Sequence, residues 1–181
     1  MSERAKTPVP IELPAFDPNP SAAHEPTKDV DFAVPVGAIE PIKAALVRRG
    51  IVARPLSSGG LAVREGDIRV GFIDRREGGP AELFEEAIAD AGRRGLLAAA
   101  GAGGVPVVAA DYLVALKVVT GEDKDETDVV KLLRRLPAIG LSRTRGIILR
   151  HGGTGSAKRL DALARRAGRP DARPEYRSGG E

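Results

Sequence analysis

The sequence predicts an α+β fold, in which a small mixed β-sheet with helices packed on it is followed by a helical C-terminal part. Short β-prone runs, separated by turn residues, surround one amphipathic helix in the order β-α-β-β-β. Longer apolar stripes at helical spacing then dominate the second half of the 181-residue chain. Hydrophobic residues make up 42% of the chain but aromatic residues only 3%, so we expect a core of aliphatic side chains.

The elements are predicted in the following order. Residues 1–26 are rich in proline, which fixes φ and removes backbone donors, so we expect an extended or disordered lead-in there. Strands are predicted at 30–36, 51–56, 61–64 and 68–73, with a further short strand at 105–108. Helices are predicted at 38–49, after Pro80, from Asp111, and from the segment after Gly121 to Leu136. Residues 27–136 form the predicted domain. Residues 137–181 form a basic helical extension with helices near 143–150 and 157–167 and a frayed tail.

Composition excludes several classes of protein. The chain has no Cys, which excludes disulfides, zinc–thiolate sites and thiol catalysis, and which is typical of a reducing cytoplasm. No apolar run approaches the roughly 20 residues of a membrane span, so we expect a cytoplasmic protein without a membrane partner. The Arg-rich sequence beyond Leu141 favours a polyanionic partner, and the abundance of Ala, Arg and Gly is typical of a high-GC bacterial gene.

The first candidate site is the segment Thr27-Lys28-Asp29-Val30-Asp31-Phe32. Residues i and i+2 of a strand point to the same face, so the carboxylates of Asp29 and Asp31 should project together. Such a pair repels unless a positive charge lies between its members, and hard carboxylate oxygens suit Mg²⁺ or Mn²⁺. An isolated Asp-x-Asp is, however, more often a strand entrance with two solvated acids.

The second candidate site spans two predicted helices. Lys117 lies among apolar neighbours, where its ammonium needs an anion or a path to water. Asp125 and Asp128 are three residues apart and share a face of the next helix. One interpretation is an interhelical ion pair whose acids also complement the helix dipole. The alternative is a lysine that holds a triphosphate and is oriented by the two acids.

Together these segments resemble the minimal nucleotidyltransferases of the DNA polymerase β-like superfamily, in particular the AbiEii-type toxins. The resemblance covers residues 27–136 and depends on Thr-Lys-Asp-Val-Asp-Phe followed later by Leu-x-x-Leu-Lys and Lys-Asp-x-x-Asp-Val. It implies that Asp29 and Asp31 bind Mg²⁺, that Lys117 contacts the triphosphate, and that Asp125 and Asp128 support it. The implied activity is transfer of a nucleoside monophosphate from a nucleoside triphosphate to a hydroxyl of RNA, such as tRNA, or of a protein. A cognate antitoxin is an implied partner.

The chain departs from this family in two places. A Gly-Gly or Gly-Ser turn is expected before the Asp-x-Asp strand, where this chain has Pro-rich sequence. The family's third carboxylate falls at Gly71, and the next acid, Asp74, would face the other side of a regular strand unless a bulge re-aimed it. A catalytically degenerate protein that serves as a binding or regulatory module is therefore the alternative function. A basic RNA-binding protein is a third.

Overall fold

The computed structural model describes residues 9–11, 29–56, 59–75, 80–94, 97–98, 105–121 and 123–169. The chain divides into two compact units, residues 1–109 and 110–181. The described elements of the first unit are β1 (Val9–Ile11), β2 (Asp29–Ala33), α1 (Ile39–Arg48), β3 (Arg54–Pro55), β4 (Leu61–Glu65), β5 (Ile68–Ile73), α2 (Ala81–Arg94), β6 (Leu97–Ala98) and β7 (Val105–Pro106). Those of the second are α3 (Ala110–Thr120), α4 (Asp123–Arg135) and α5 (Leu141–Arg166).

The first unit is built on a mixed sheet with the strand order β1-β2-β5-β4-β3. The β2–β5 pair is parallel and the other pairs are antiparallel, so the predicted α+β class with a small mixed sheet is confirmed. The four strands predicted between residues 30 and 73 lie in this sheet, whereas the short strand predicted at 105–108 is β7, which pairs with β6. A fifth, β1, lies at its edge within the predicted lead-in, where Pro10 is tolerated because an edge strand leaves backbone donors unused. The rest of the lead-in lies outside the described residues.

A small aliphatic core fixes α1 against this sheet. Val34, Ile39 and Leu61 are buried together, and partly buried side chains from the neighbouring strands pack around them. Phe32 and Phe72 are opposite each other in the β2–β5 register, and their rings stack with centroids 5.5 Å apart. The packing at Phe32 and Phe72 therefore holds β2 and β5 in one register, which also determines what lies beside the two aspartates of β2.

The second unit is a helical assembly around α3. Five consecutive residues of α3, from Tyr112 to Leu116, are buried, as expected of a helix covered on several sides. The α5 segment is broken at Gly153, where φ is +67° and ψ is −171°. A straight helix would separate Arg145 from Asp161 by about 24 Å, yet these side chains form an ion pair. The halves of α5 therefore fold back on each other as a hairpin.

The boundary between the units falls at residue 109, whereas the sequence predicted a boundary at residue 136. The two α5 halves match the predicted helices near 143–150 and 157–167, and they belong to the same unit as α3 and α4. The guanidinium of Arg169 shows why, because it donates to backbone carbonyls at the C-terminal end of α4, including those of Leu136 and Ile139. The predicted tail beyond residue 169 lies outside the described residues. None of the described helices is long and apolar enough to cross a membrane.

Candidate functional site

Asp29 and Asp31 project from the same face of β2, as predicted, and a guanidinium lies between them. Arg69 occupies the position opposite Asp29 on β5. Its Nε donates to Asp29 Oδ1 at 2.7 Å, and its Nη2 donates to Asp31 Oδ1 at 3.4 Å. The hydrogen bond to Asp29 is the main cause that raises the pKa of Arg69 above its already high ordinary value. The positive charge that relieves the repulsion between the two carboxylates is therefore supplied by the chain itself.

Gly71 is the residue opposite Asp31 on β5, and it is buried. A Cβ built on Gly71 would overlap the Asp31 Oδ1 atom and would approach Arg69 Nη1 to 3.6 Å. The glycine therefore gives the Asp31 carboxylate space to lean across β5 toward the guanidinium. A carboxylate-bearing side chain at this position would meet the same obstruction.

Asp74 does not join the aspartate pair. It follows the end of β5, three residues beyond Gly71, which along a strand corresponds to about 10 Å. Its side chain is 4% exposed, and Oδ1 lies near the position that a Cβ on Gly59 would occupy. The described β5 runs regularly from Ile68 to Ile73 in register with its neighbours, so no bulge re-aims Asp74 within it.

As arranged, the Asp29–Asp31 pair does not fit a catalytic magnesium site. It offers two carboxylates that already accept hydrogen bonds from one guanidinium, and Gly71 stands where the resemblance to the nucleotidyltransferases led us to expect a third carboxylate. Throughout the part of the chain that the structure describes, no group of three or more His, Cys, Asp or Glu side chains is arranged to hold a metal ion. Magnesium usually takes one or two protein carboxylates and completes its six oxygen ligands with waters, so the obstacle at this pair is the guanidinium rather than the number of carboxylates.

Lys117, Asp125 and Asp128 form a second cluster, in the second unit. The Lys117 ammonium lies 2.8 Å from Asp125 Oδ1 and 2.9 Å from Asp128 Oδ2, so α3 and α4 are joined across the turn at Gly121. Thr120 Oγ1 lies 3.1 Å from the other carboxylate oxygen of Asp125. The predicted shared face of Asp125 and Asp128 is confirmed, because both carboxylates reach the same ammonium.

The ion pair between Lys117 and Asp125 is partly removed from water. The side chains of Lys117 and Asp125 are 20% and 11% exposed, whereas that of Asp128 is 43% exposed. Burial acts to lower the pKa of Lys117, but the hydrogen bonds to Asp125 and Asp128 outweigh it, so the pKa is raised above its ordinary value. Lys117 is therefore a cation at neutral pH, and two of its three N–H donors are engaged by carboxylates.

Sequence reasoning missed Arg69, the residue whose guanidinium binds both carboxylates of the aspartate pair. Alternation along β5 places Arg69 and Gly71 on one face, which the sequence shows. It does not show that β5 lies beside β2, because the parallel partner of a strand is separated from it by a crossover. Thr120 was missed as well, although a hydroxyl one turn from the start of α4 is an ordinary partner for a helix-entrance acid.

No known protein-family model matches this chain, and no curated protein matches it in sequence.

Proposed function

We propose that this protein is a catalytically degenerate nucleotidyltransferase-fold protein that acts as a binding or regulatory module. One observation carries the proposal: the Arg69 guanidinium lies between Asp29 and Asp31, where a metal-dependent enzyme would need a divalent cation. The guanidinium belongs to the chain and supplies one positive charge between the two carboxylates, which lowers their mutual repulsion. A metal ion that entered would have to displace the Arg69 guanidinium from both carboxylates.

The arrangement around Lys117 supports the same proposal. A lysine that binds triphosphate needs an ammonium that can turn toward the ligand. Here the ammonium is held by Asp125 and Asp128 at hydrogen-bond distance, and the side chain is only 20% exposed. Of the two interpretations that the sequence left open, this geometry favours the interhelical ion pair. The second candidate site then serves stability rather than nucleotide binding.

Titration with Mn²⁺, in the presence and absence of nucleoside triphosphate, tests the proposal directly. We expect no saturable binding to the wild-type chain and no thermal shift that depends on both metal and triphosphate. In Arg69→Gln the two carboxylates lose their internal cation, so weak Mn²⁺ binding should appear. Arg64→Gln is the matched control, because Arg64 is the neighbour of Arg69 on β4 and makes no ion pair among the described residues. Saturable Mn²⁺ binding by the wild-type chain, lost in Asp31→Ala, would overturn the proposal.

Magnesium-dependent nucleotidyl transfer is the second candidate function, and one observation favours it. The side chains of Asp29 and Asp31 are 60% and 34% exposed, so ions in solution can reach both carboxylates if Arg69 turns away. Incubation with Mg²⁺, labelled nucleoside triphosphates and a pool of tRNA or protein acceptors separates the two functions. Label transfer that Asp31→Ala abolishes would establish the enzyme. No transfer from any of the four nucleotides is the result that degeneracy predicts.

A further inference from the structure

The second half of α5 presents an outward face made of cations. Lys158, Arg159, Arg165 and Arg166 are all exposed, and the two basic pairs are separated by seven residues. Seven residues are two helical turns, or about 10 Å along the axis, so both pairs lie on the same side. The opposite side of this half-helix is buried and apolar, at Ala157, Leu160, Leu163 and Ala164. The basic α5 face, as defined by these four cations, is therefore a fixed surface of a packed helix.

Two carboxylates of the described residues, those of Asp161 and Glu126, bear on the charge of the basic α5 face. The acid within this half-helix, Asp161, is 10% exposed and pairs inward with Arg145. Glu126 of α4 reaches the edge of the face, 2.9 Å from Arg166 Nη1 and 3.9 Å from Arg159 Nε. One carboxylate is thus shared by two guanidinium groups. Among the described residues Arg165 forms no ion pair, so the face keeps a net positive charge.

The positive surface continues onto the C-terminal end of α4. Arg134 Nη2 donates to the backbone carbonyl of Arg166 at 2.8 Å, which places the last turns of the two helices side by side. Lys131 and Arg135 are exposed on α4 and, like Arg165, form no ion pair among the described residues. A helix-dipole role explains one or two basic residues at a helix C-terminus. It does not explain Lys158 and Arg159, which lie two turns before the end of α5.

We propose that the basic α5 face binds the phosphate backbone of a nucleic-acid duplex without reading its sequence. Guanidinium groups match phosphate geometry with paired N–H donors. A 10 Å separation corresponds to about three phosphates of one strand, at 3.4 Å each. Tyr112, which is buried, is the only Phe, Trp or Tyr between positions 110 and 169, so the described part of this surface has no such ring on which an unpaired base could stack. A duplex, whose phosphates are already ordered, therefore fits better than a single strand.

Fluorescence anisotropy with labelled 20-base-pair DNA and RNA duplexes of unrelated sequence tests this interaction. We expect similar affinities for different sequences, because the contacts are with phosphates. Three or four such contacts predict a loss of affinity of about 40- to 150-fold between 50 and 200 mM salt. In Arg165→Ala/Arg166→Ala two contacts are removed, so the salt slope should fall by about 1.8. Arg48→Ala/Arg49→Ala is the matched control, because it removes two adjacent exposed arginines at the end of α1.

The same titrations contain the results that would overturn the interaction. The first is no binding to either duplex at 50 mM salt. The second is an equal loss of duplex affinity in the α5 and α1 double variants. The third is tighter binding of polyglutamate or of a single strand than of a duplex. Since Arg166 also pairs with Glu126, Arg165→Glu is a second variant that leaves this contact in place. It should weaken duplex binding while its circular dichroism stays that of the wild type. The outcome is independent of Mn²⁺ and triphosphate, so it can fail without affecting the proposed degeneracy of the Asp29–Asp31 pair.

Discussion

Gly71 and Asp31 lie opposite each other across the parallel β2–β5 pair, and the carboxylate of Asp31 occupies the space beside the glycine Cα. The absence of a side chain at Gly71 on β5 therefore bears on the ion pair that Asp31 of β2 forms with Arg69. Because Gly71 carries no Cβ, Asp31 can reach across β5 to the guanidinium of Arg69. The glycine and the arginine therefore act together to place one guanidinium against the two acids of the strand entrance, which lowers the repulsion between them.

Substitution of Gly71 by Ala tests this relationship. The added Cβ would overlap Asp31 Oδ1, so the carboxylate must rotate and give up Arg69. Because the Asp31 carboxylate is a flexible side-chain end and the ion pair is partly exposed, we expect a loss of about 1 kcal/mol or less in the free energy of unfolding, measured with urea. On an Asp31→Ala background the obstruction is gone, and the same substitution should be nearly neutral, which a double-mutant cycle would show. Gly92→Ala is the control, because Gly92 lies in α2 with open space around it, and a helical Gly→Ala change should stabilise by about 0.5–1 kcal/mol.

The two acids that hold Lys117 should contribute unequally to stability. Asp125 is buried, so Asp125→Ala leaves a desolvated ammonium with one remaining partner, and we expect a loss of about 2–4 kcal/mol. Asp128 is 43% exposed, and solvent screens its interaction, so Asp128→Ala should cost about 1 kcal/mol or less. Urea denaturation of both variants under the same conditions gives the comparison. Equal losses would contradict the burial argument, and a triphosphate-dependent difference would favour the nucleotide-binding alternative.

Alkaline pH should weaken the fold through Lys117. Its pKa is raised in the folded protein above the ordinary value of 10.5, so its contribution to stability is complete below that value and is lost as the pH rises through the folded pKa. The free energy of unfolding of the wild-type chain should therefore fall more steeply above pH 10.5 than that of Lys117→Met. The difference between the two curves is the informative quantity, because the other lysines also titrate in this range. Parallel curves from pH 9 to 12 would contradict the raised pKa.

Local sequence patterns predicted most of the helices and strands of this fold. They did not predict which strands and side chains pair across long distances in the sequence. The alternation at Asp29 and Asp31 gave their common face, and the three-residue spacing of Asp125 and Asp128 gave theirs, because both follow from the geometry of one element. The partner of the first pair did not follow, since Arg69 is 40 residues away from Asp29 and is brought to it by a parallel crossover. The division into compact units at residue 109 was not indicated by local patterns either, for a similar reason. Contacts of Arg169 with the end of α4 are tertiary, and a proline that ends a helix does not reveal them.

Gly153 should be required for the α5 hairpin by its backbone conformation alone. Its φ of +67° with ψ of −171° lies in a region that is essentially restricted to glycine, yet a Cβ there would have no atom within 4 Å. Gly153→Ala should therefore destabilise the protein by about 1–3 kcal/mol through strain rather than through overlap. Gly155 is the matched control, because it is two residues away, has equally open surroundings and has no positive φ.

Gly155→Ala should be neutral or stabilising by up to about 1 kcal/mol, since alanine favours the helix that Gly155 occupies. The opposite signs of the two substitutions, measured by thermal or urea unfolding, distinguish a conformational requirement from a general preference for small residues in this segment. If Gly153→Ala is as well tolerated as Gly155→Ala, the break in α5 is not fixed by Gly153. The ion pair between Arg145 and Asp161 would then have to hold the two halves together, and Asp161→Asn should destabilise the hairpin strongly.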